Sequence, residues 1–106
     1  MALAACASLL AFSGSLGGDF VYDDSSEIVL NPLIQQPQLL GKALVSDTWA
    51  FRAASGSVVS SHWRPIRTLG MAVGYRLFGL HDTFGWHAAI LALHLAALAA
   101  ALRLLT

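Results

Sequence analysis

Four carboxylates near the N-terminus are the residues of this chain best suited to chemistry. Asp19, Asp23, Asp24 and Glu27 make up four of its six acidic residues, and they follow directly after an apolar run. Carboxylates at such a boundary can cap a helix, bind a cation, or act as a general base with an orienting partner. The adjacent pair Asp23-Asp24 is therefore the first candidate for a functional site.

A helix cap accounts for part of this cluster. Asp24-Ser25-Ser26-Glu27 matches a capping box, which predicts Asp24 as N-cap and Glu27 at the third helical position. The helix would end at Asn31-Pro32, because a residue before proline disfavours helical geometry. Such a cap contributes about 1 kcal/mol, but it leaves Asp23 unexplained. A carboxylate that accepts a proton from a hydroxyl nucleophile would explain Asp23, so both interpretations stay open.

The composition is that of a membrane protein rather than a soluble domain. The chain is 57% hydrophobic and 11% charged, whereas soluble domains have about 25% charged residues. Its net charge is zero, so no basic surface indicates nucleic acid as a partner. The single cysteine, Cys6, cannot form an internal disulfide, and no Cys-x-x-Cys or His-Glu-x-x-His spacing predicts a metal site.

The elements that must position the carboxylates are two apolar segments and the loop between them. Residues 85–106 are long enough for a transmembrane helix, and its His87 and His94 are expected to pack against another helix rather than bind a metal. Residues 1–17 are too short for a complete span. They resemble a signal-peptide core, but no basic residue precedes them. We interpret them as the end of a first transmembrane helix whose beginning is missing.

Residues 18–84 are predicted to form a long loop with short helices. One helix begins at Pro37, and another begins at Pro65 and ends at Gly79. The Pro65 helix has an apolar stripe, which suits a helix lying flat at a membrane interface. That stripe consists of Ile66, Leu69, Val73 and Leu77. The Ser/Gly/Ala-rich residues 52–61 are predicted to be a flexible connection.

The order of motifs resembles a known family. "GDFVYDD", "IVLNP", "SSHWRPIRTL", "GYRLFGL" and "FGWHAAILALH" follow one another along the chain. This set is similar to the N-terminal part of multi-spanning membrane glycosyltransferases of the GT-C type, which use a polyprenyl-phosphate sugar. The closest likeness is to the transmembrane and tetratricopeptide-repeat O-mannosyltransferase-like proteins and their bacterial relatives. One departure is His62-Trp63 before Arg64-Pro65, where that family more often has a single Tyr.

The resemblance implies a role for each motif residue. Asp23 would be the general base and Asp24 its partner, while Arg64 and, more weakly, Arg67 would bind the donor phosphate. Tyr22 and Trp63 would line the substrate site. No cofactor is firmly implied, and a divalent cation stays open. The implied fold is an all-α membrane protein, the N-terminal part of a multi-helix transmembrane bundle.

The resemblance also implies partners and a location. The sugar, with mannose as one option, would move to a hydroxyl acceptor such as protein Ser/Thr or a glycan, beside membrane lipid and the remaining transmembrane helices. Residues 18–84 would face the periplasm or the lumen of the endoplasmic reticulum, although basic residues in the loop argue for the cytoplasm. We expect residues 1–106 alone to be inactive. Two alternatives are a small non-catalytic membrane protein whose loop is an interaction surface, and a secreted domain behind a signal peptide.

Overall fold

The computed structural model describes residues 1–55 and 61–106, which form helices and turns without a β-strand. The predicted all-α class is confirmed for these residues. Of the predicted flexible connection, residues 56–60 lie outside the described residues, and the preceding part belongs to a 3-10 helix, Ala50–Ser55. In chain order the α-helices are α1 (Ala2–Phe12), α2 (Pro32–Gln35), α3 (Leu40–Val45), α4 (Pro65–Phe78) and α5 (Thr83–Leu105).

The chain divides into two compact units, and the first contains α1 and α5. It comprises Met1–Asp19 and Asp82–Thr106. Helix α5 is capped at its N-terminus by Asp82, whose Oδ1 accepts a hydrogen bond from the Gly85 N–H at 2.8 Å. Its 23 residues extend about 35 Å at about 1.5 Å per residue, enough to cross a hydrocarbon core of about 30 Å. Among the described residues it is the one helix long and apolar enough to do so, which fits an integral membrane protein.

One of the two histidines of α5 packs against α1. His94 lies beside α1: its Nε2 is 3.4 Å from Ser8 Oγ, and its ring meets Phe12 edge-on at a centroid distance of 5.4 Å. The predicted packing of His94 against another helix is therefore confirmed. His87 has a buried Nδ1 that forms no hydrogen bond within the described part of the chain.

The second unit, Phe20–His81, is built around α4. This helix packs against α2 and α3 and buries the small side of its surface, Thr68, Ala72 and Gly74. It begins at Pro65 and is closed by Gly79, which has φ +62° and whose N–H bonds the Tyr75 carbonyl at 2.8 Å. The predicted beginning and end of this helix are confirmed. Its apolar stripe faces outward, with Ile66 86% exposed, and its location at a membrane interface stays a prediction.

The predicted capping box is wrong. Residues Ser25–Val29 form one π-helical turn, and the Asp24 side chain makes no capping hydrogen bond to it. Glu27 does not reach back to Asp24 because its carboxylate is buried and paired with Arg67. The predicted end of this short helix before Asn31-Pro32 is confirmed, since the turn ends at Val29. Pro32 then begins α2, which Asn31 Oδ1 caps by accepting from the Leu33 N–H at 3.0 Å.

The helix predicted to begin at Pro37 is present in two parts. Pro37–Leu39 form a 3-10 turn that runs directly into α3. Ala43 of α3 is buried and Lys42 is exposed, so the predicted apolar and polar sides are the ones observed. Helices α2 and α3 thereby form the surface on which α4 lies.

Candidate functional site

The second unit contains a cavity of about 260 Å³ with a charged lining. Its lining residues come from three stretches of chain: the π-helical turn and the residues before it, residues 48–49, and the beginning of α4 with the residues before it. They are Asp23, Glu27, Thr48, Trp49, His62, Arg64 and Arg67. The lining thus holds two carboxylates and two guanidinium groups, a combination suited to a polar, oxygen-rich ligand.

One carboxylate and one guanidinium in the cavity neutralise each other. Arg67 Nη2 donates to Glu27 Oε2, and the two residues form an ion pair. The Glu27 side chain is 4% exposed and the Arg67 side chain 40% exposed. The pair is therefore buried at the Glu27 end and open to the cavity at the Arg67 end.

The other two charged residues of the lining have no such partner. Neither the Asp23 carboxylate nor the Arg64 guanidinium makes a hydrogen bond or ion pair with any residue of the described ranges. Both residues are exposed. A base and a phosphate-binding cation must each be available to substrate, and these two groups are available.

A second wall of the cavity comes from the chain around Asp47. Its Oδ1 accepts from the Trp49 N–H at 2.7 Å and its Oδ2 from the His62 N–H at 2.6 Å. The Thr48 N–H bonds the His62 carbonyl at 2.9 Å. These bonds hold Thr48 and Trp49 beside His62, although His62 is distant from both in sequence.

Thr48 carries a buried hydroxyl without a partner. The residue is 6% exposed, and its Oγ1 makes no hydrogen bond to the described residues. Buried hydroxyl groups are nearly always hydrogen-bonded. An unpaired one in the wall of a polar cavity is the kind of group that a bound ligand would satisfy.

An aromatic ring and a cation support this wall. The Arg52 guanidinium lies 4.5 Å from the centre of the Trp49 ring, and its Nη2 donates to Ser26 Oγ at 2.7 Å. Ser26 precedes Glu27, so these contacts link the Trp49 wall to the π-helical turn. A cation over an aromatic face contributes about 0.5–1 kcal/mol at an exposed site.

The structure brings three of the six predicted site residues to this cavity: Asp23, Arg64 and Arg67. The described lining does not include Asp24, which is half-buried at the start of the π-helical turn. Nor does it include Tyr22, which is 95% exposed with φ +49°. Trp63 lies outside it as well, with its Nε1 donating to the Leu44 carbonyl at 2.9 Å.

Four lining residues were not predicted as site residues: Glu27, Thr48, Trp49 and His62. For Glu27 the available signal is its place in the acidic cluster, where the spacing predicts a helix cap. No local signal predicts that Thr48 and Trp49 meet His62, because the Asp47 bond that brings His62 to them joins positions 15 apart. The described residues contain no group of three or more His, Cys, Asp or Glu side chains that could hold a metal ion.

Comparison with known proteins gives matches in sequence alone. No protein-family model matches the chain, and no solved structure matches it. Protein O-mannosyl-transferase TMTC4 of Mus musculus is 37% identical over 87 residues, and the human protein of that name is 34% identical over 87 residues. A protein O-mannosyl-transferase of Caenorhabditis elegans is 34% identical over 80 residues.

These matches cover most of this chain and little of the relatives. The mouse and human alignments span 82% of this chain and 12% of each relative, and the nematode alignment spans 76% and 11%. Over most of its length, this chain is therefore similar to a short segment of the protein O-mannosyl-transferases.

Proposed function

We propose that this chain is part of an integral-membrane glycosyltransferase that moves a sugar from a polyprenyl phosphate to a hydroxyl acceptor. The observation that carries the proposal is that Asp23 and Arg64 line one cavity and have no side-chain partner among the described residues. The likeness to protein O-mannosyl-transferases supports it, with mannose as the sugar and protein Ser/Thr as the acceptor. The remaining transmembrane helices of the GT-C bundle would complete the site.

The chemistry assigns one task to each of these charges. The acceptor hydroxyl attacks the anomeric carbon of the sugar, and its proton passes to the Asp23 carboxylate. The bond from that carbon to the phosphate oxygen breaks, and the phosphate leaves with the electron pair. Arg64 stabilises the departing phosphate, since a guanidinium binds phosphate oxygens in a bidentate way. Attack opposite the leaving group inverts the anomeric centre.

The other predicted residues have supporting roles in this proposal. Asp24 orients Asp23 or contacts the acceptor, from its half-buried position beside the cavity residue. Arg67 is a second phosphate contact. Tyr22 and Trp63, both exposed aromatic residues, line the path of the substrate. The loop lies on the periplasmic or lumenal side of the membrane, where the lipid-linked donor presents its sugar.

The test compares the two neighbouring aspartates in the full-length protein. Asp23→Asn preserves shape and removes the charge, and we expect it to lower the transfer rate by about 10²–10⁴. Asp24→Asn is the matched variant, and we expect a smaller loss, because Asp24 does not line the cavity in the described residues. The measurement is transfer of labelled mannose from polyprenyl phosphate to a Ser/Thr peptide.

Expression and membrane insertion of both variants should match the wild type, since both side chains lack hydrogen-bond partners among the described residues. Transfer at the wild-type rate by Asp23→Asn would show that this carboxylate is not the base and would overturn the proposal.

A further inference from the structure

The ion pair between Glu27 and Arg67 has a rigid end and an open end. Glu27 lies on the π-helical turn, and its backbone carbonyl accepts a hydrogen bond from Asn31 Nδ2 at 3.0 Å. The next two carbonyls, of Ile28 and Val29, both accept from Gln35 Nε2, at 2.7 and 2.9 Å. Side chains of the α2 region therefore fix the backbone that carries the Glu27 carboxylate.

The open end is the Arg67 guanidinium. It has five N–H donors, and the structure records one bond from it, Nη2 to Glu27 Oε2. Its side chain is 40% exposed and belongs to the cavity lining. The other N–H groups of Arg67 can therefore donate to a ligand while Nη2 stays bonded to Glu27.

Stability alone is a poor explanation for such a pair. Taking a carboxylate out of water costs several kcal/mol, and well-packed apolar residues in place of a buried ion pair are often at least as stabilising. Glu27 is 3% exposed, so its carboxylate carries that cost. The charge is therefore better explained by what it does for Arg67.

We infer that Glu27 is a positioning residue, which holds Arg67 so that its remaining N–H groups meet the phosphate oxygens of the donor. The inference rests on the proposed function and assigns a residue to that site. The inference also assigns a different state to each of the two arginines before the donor binds. Arg67 is ordered before the donor binds, so its side-chain entropy is already lost, whereas Arg64 has no partner in the described residues and becomes ordered on binding.

The test is a double-mutant cycle in the full-length protein. Glu27→Gln, Arg67→Gln and the double variant are compared for the Kd of polyprenyl phosphate, the product without its sugar. Loss of a hydrogen bond to a charged group predicts that each single variant weakens binding roughly tenfold or more. If Glu27 acts through Arg67, adding Glu27→Gln to Arg67→Gln causes no further loss.

Two further variants make the result decisive. Lys42→Gln removes one positive charge, as Arg67→Gln does, but from an exposed position on α3 outside the cavity lining. This variant should bind polyprenyl phosphate as the wild type does. Glu27→Asp keeps the charge with a shorter reach and should restore part of the affinity that Glu27→Gln loses. The KM for the donor should rise in Glu27→Gln more than kcat falls, because the pair acts in binding.

The contrary outcomes are distinct. Additive losses in the cycle, or wild-type affinity in Glu27→Gln, would overturn the positioning role and leave the proposed function standing. If the wild type binds no polyprenyl phosphate, or if Asp23→Asn transfers sugar at the wild-type rate, the proposed function itself fails.

Discussion

Removing Arg67 should destabilise the second unit far more than removing the charge of Glu27. Arg67→Gln leaves a carboxylate, 4% exposed, without its cation, and breaking a buried pair in this way costs about 3–5 kcal/mol. We expect about 3 kcal/mol, the lower end of that range, because the Arg67 side chain is 40% exposed and water reaches that end of the pair. Glu27→Gln leaves a half-exposed guanidinium that water can solvate, so its cost should be about 1 kcal/mol.

Native-state hydrogen exchange measures this difference where it arises. The Leu30 N–H bonds the Ser25 carbonyl at 3.1 Å across the π-helical turn, and the Thr68 N–H bonds the Arg64 carbonyl at 3.0 Å in α4. A loss of about 3 kcal/mol corresponds to exchange roughly a hundredfold faster at both amides, since about 1.4 kcal/mol is a factor of ten. Lys42→Gln provides the control and should leave both exchange rates unchanged.

The double variant decides whether the reasoning is right. Adding Glu27→Gln to Arg67→Gln removes the stranded carboxylate, so exchange should become slower than in Arg67→Gln alone. Equal effects of the two single variants, together with a double variant that shows their sum, would refute the conclusion that an uncompensated carboxylate sets the cost.

Thr48→Val should raise the free energy of unfolding by up to about 1 kcal/mol, because it removes a buried unpaired hydroxyl; a lower melting temperature would contradict this. Gly79→Ala should cost about 1–3 kcal/mol at φ +62°, whereas Gly70→Ala within α4 should stabilise by up to about 1 kcal/mol; thermal unfolding distinguishes them, and equal shifts would count against the backbone reasoning. Gln38→Cys in a full-length protein lacking Cys6 and any other cysteine should react with a membrane-impermeant reagent on intact cells; labelling only after permeabilisation would reverse the proposed sidedness.

The sequence predicted where α4 begins and ends, but it did not predict which side of α4 is buried. The beginning of α4 at Pro65 and its end before Gly79 were predictable, because proline and glycine act on their own backbone. The 3.6-residue periodicity also identified the apolar stripe that contains Ile66. It could not tell that α2 and α3 would pack on the opposite side, where Thr68, Ala72 and Gly74 allow close approach.

The candidate site was predictable only where its residues form a local motif. Asp23 and Arg64 belong to such motifs, and both lie in the cavity. Glu27 was assigned to a cap because the spacing of a capping box is local, whereas its observed partner, Arg67, is 40 residues away in sequence. Pairings at that distance depend on how helices pack, which a single sequence does not encode in any short pattern.

The Asp47 bonds make one part of this chain tolerant of changes in length. Asp47 and Thr48 both bond to His62, so the bonds that close this segment are made at its two ends. The entropy of closing a flexible loop grows only with the logarithm of its length, and each doubling costs about 0.6 kcal/mol. A peptide tag or a fluorescent label inserted between Ser55 and Ser61 should therefore leave the cavity assembled. Shortening the segment until it can no longer reach from Asp47 to His62 would pull Thr48 and Trp49 out of the wall.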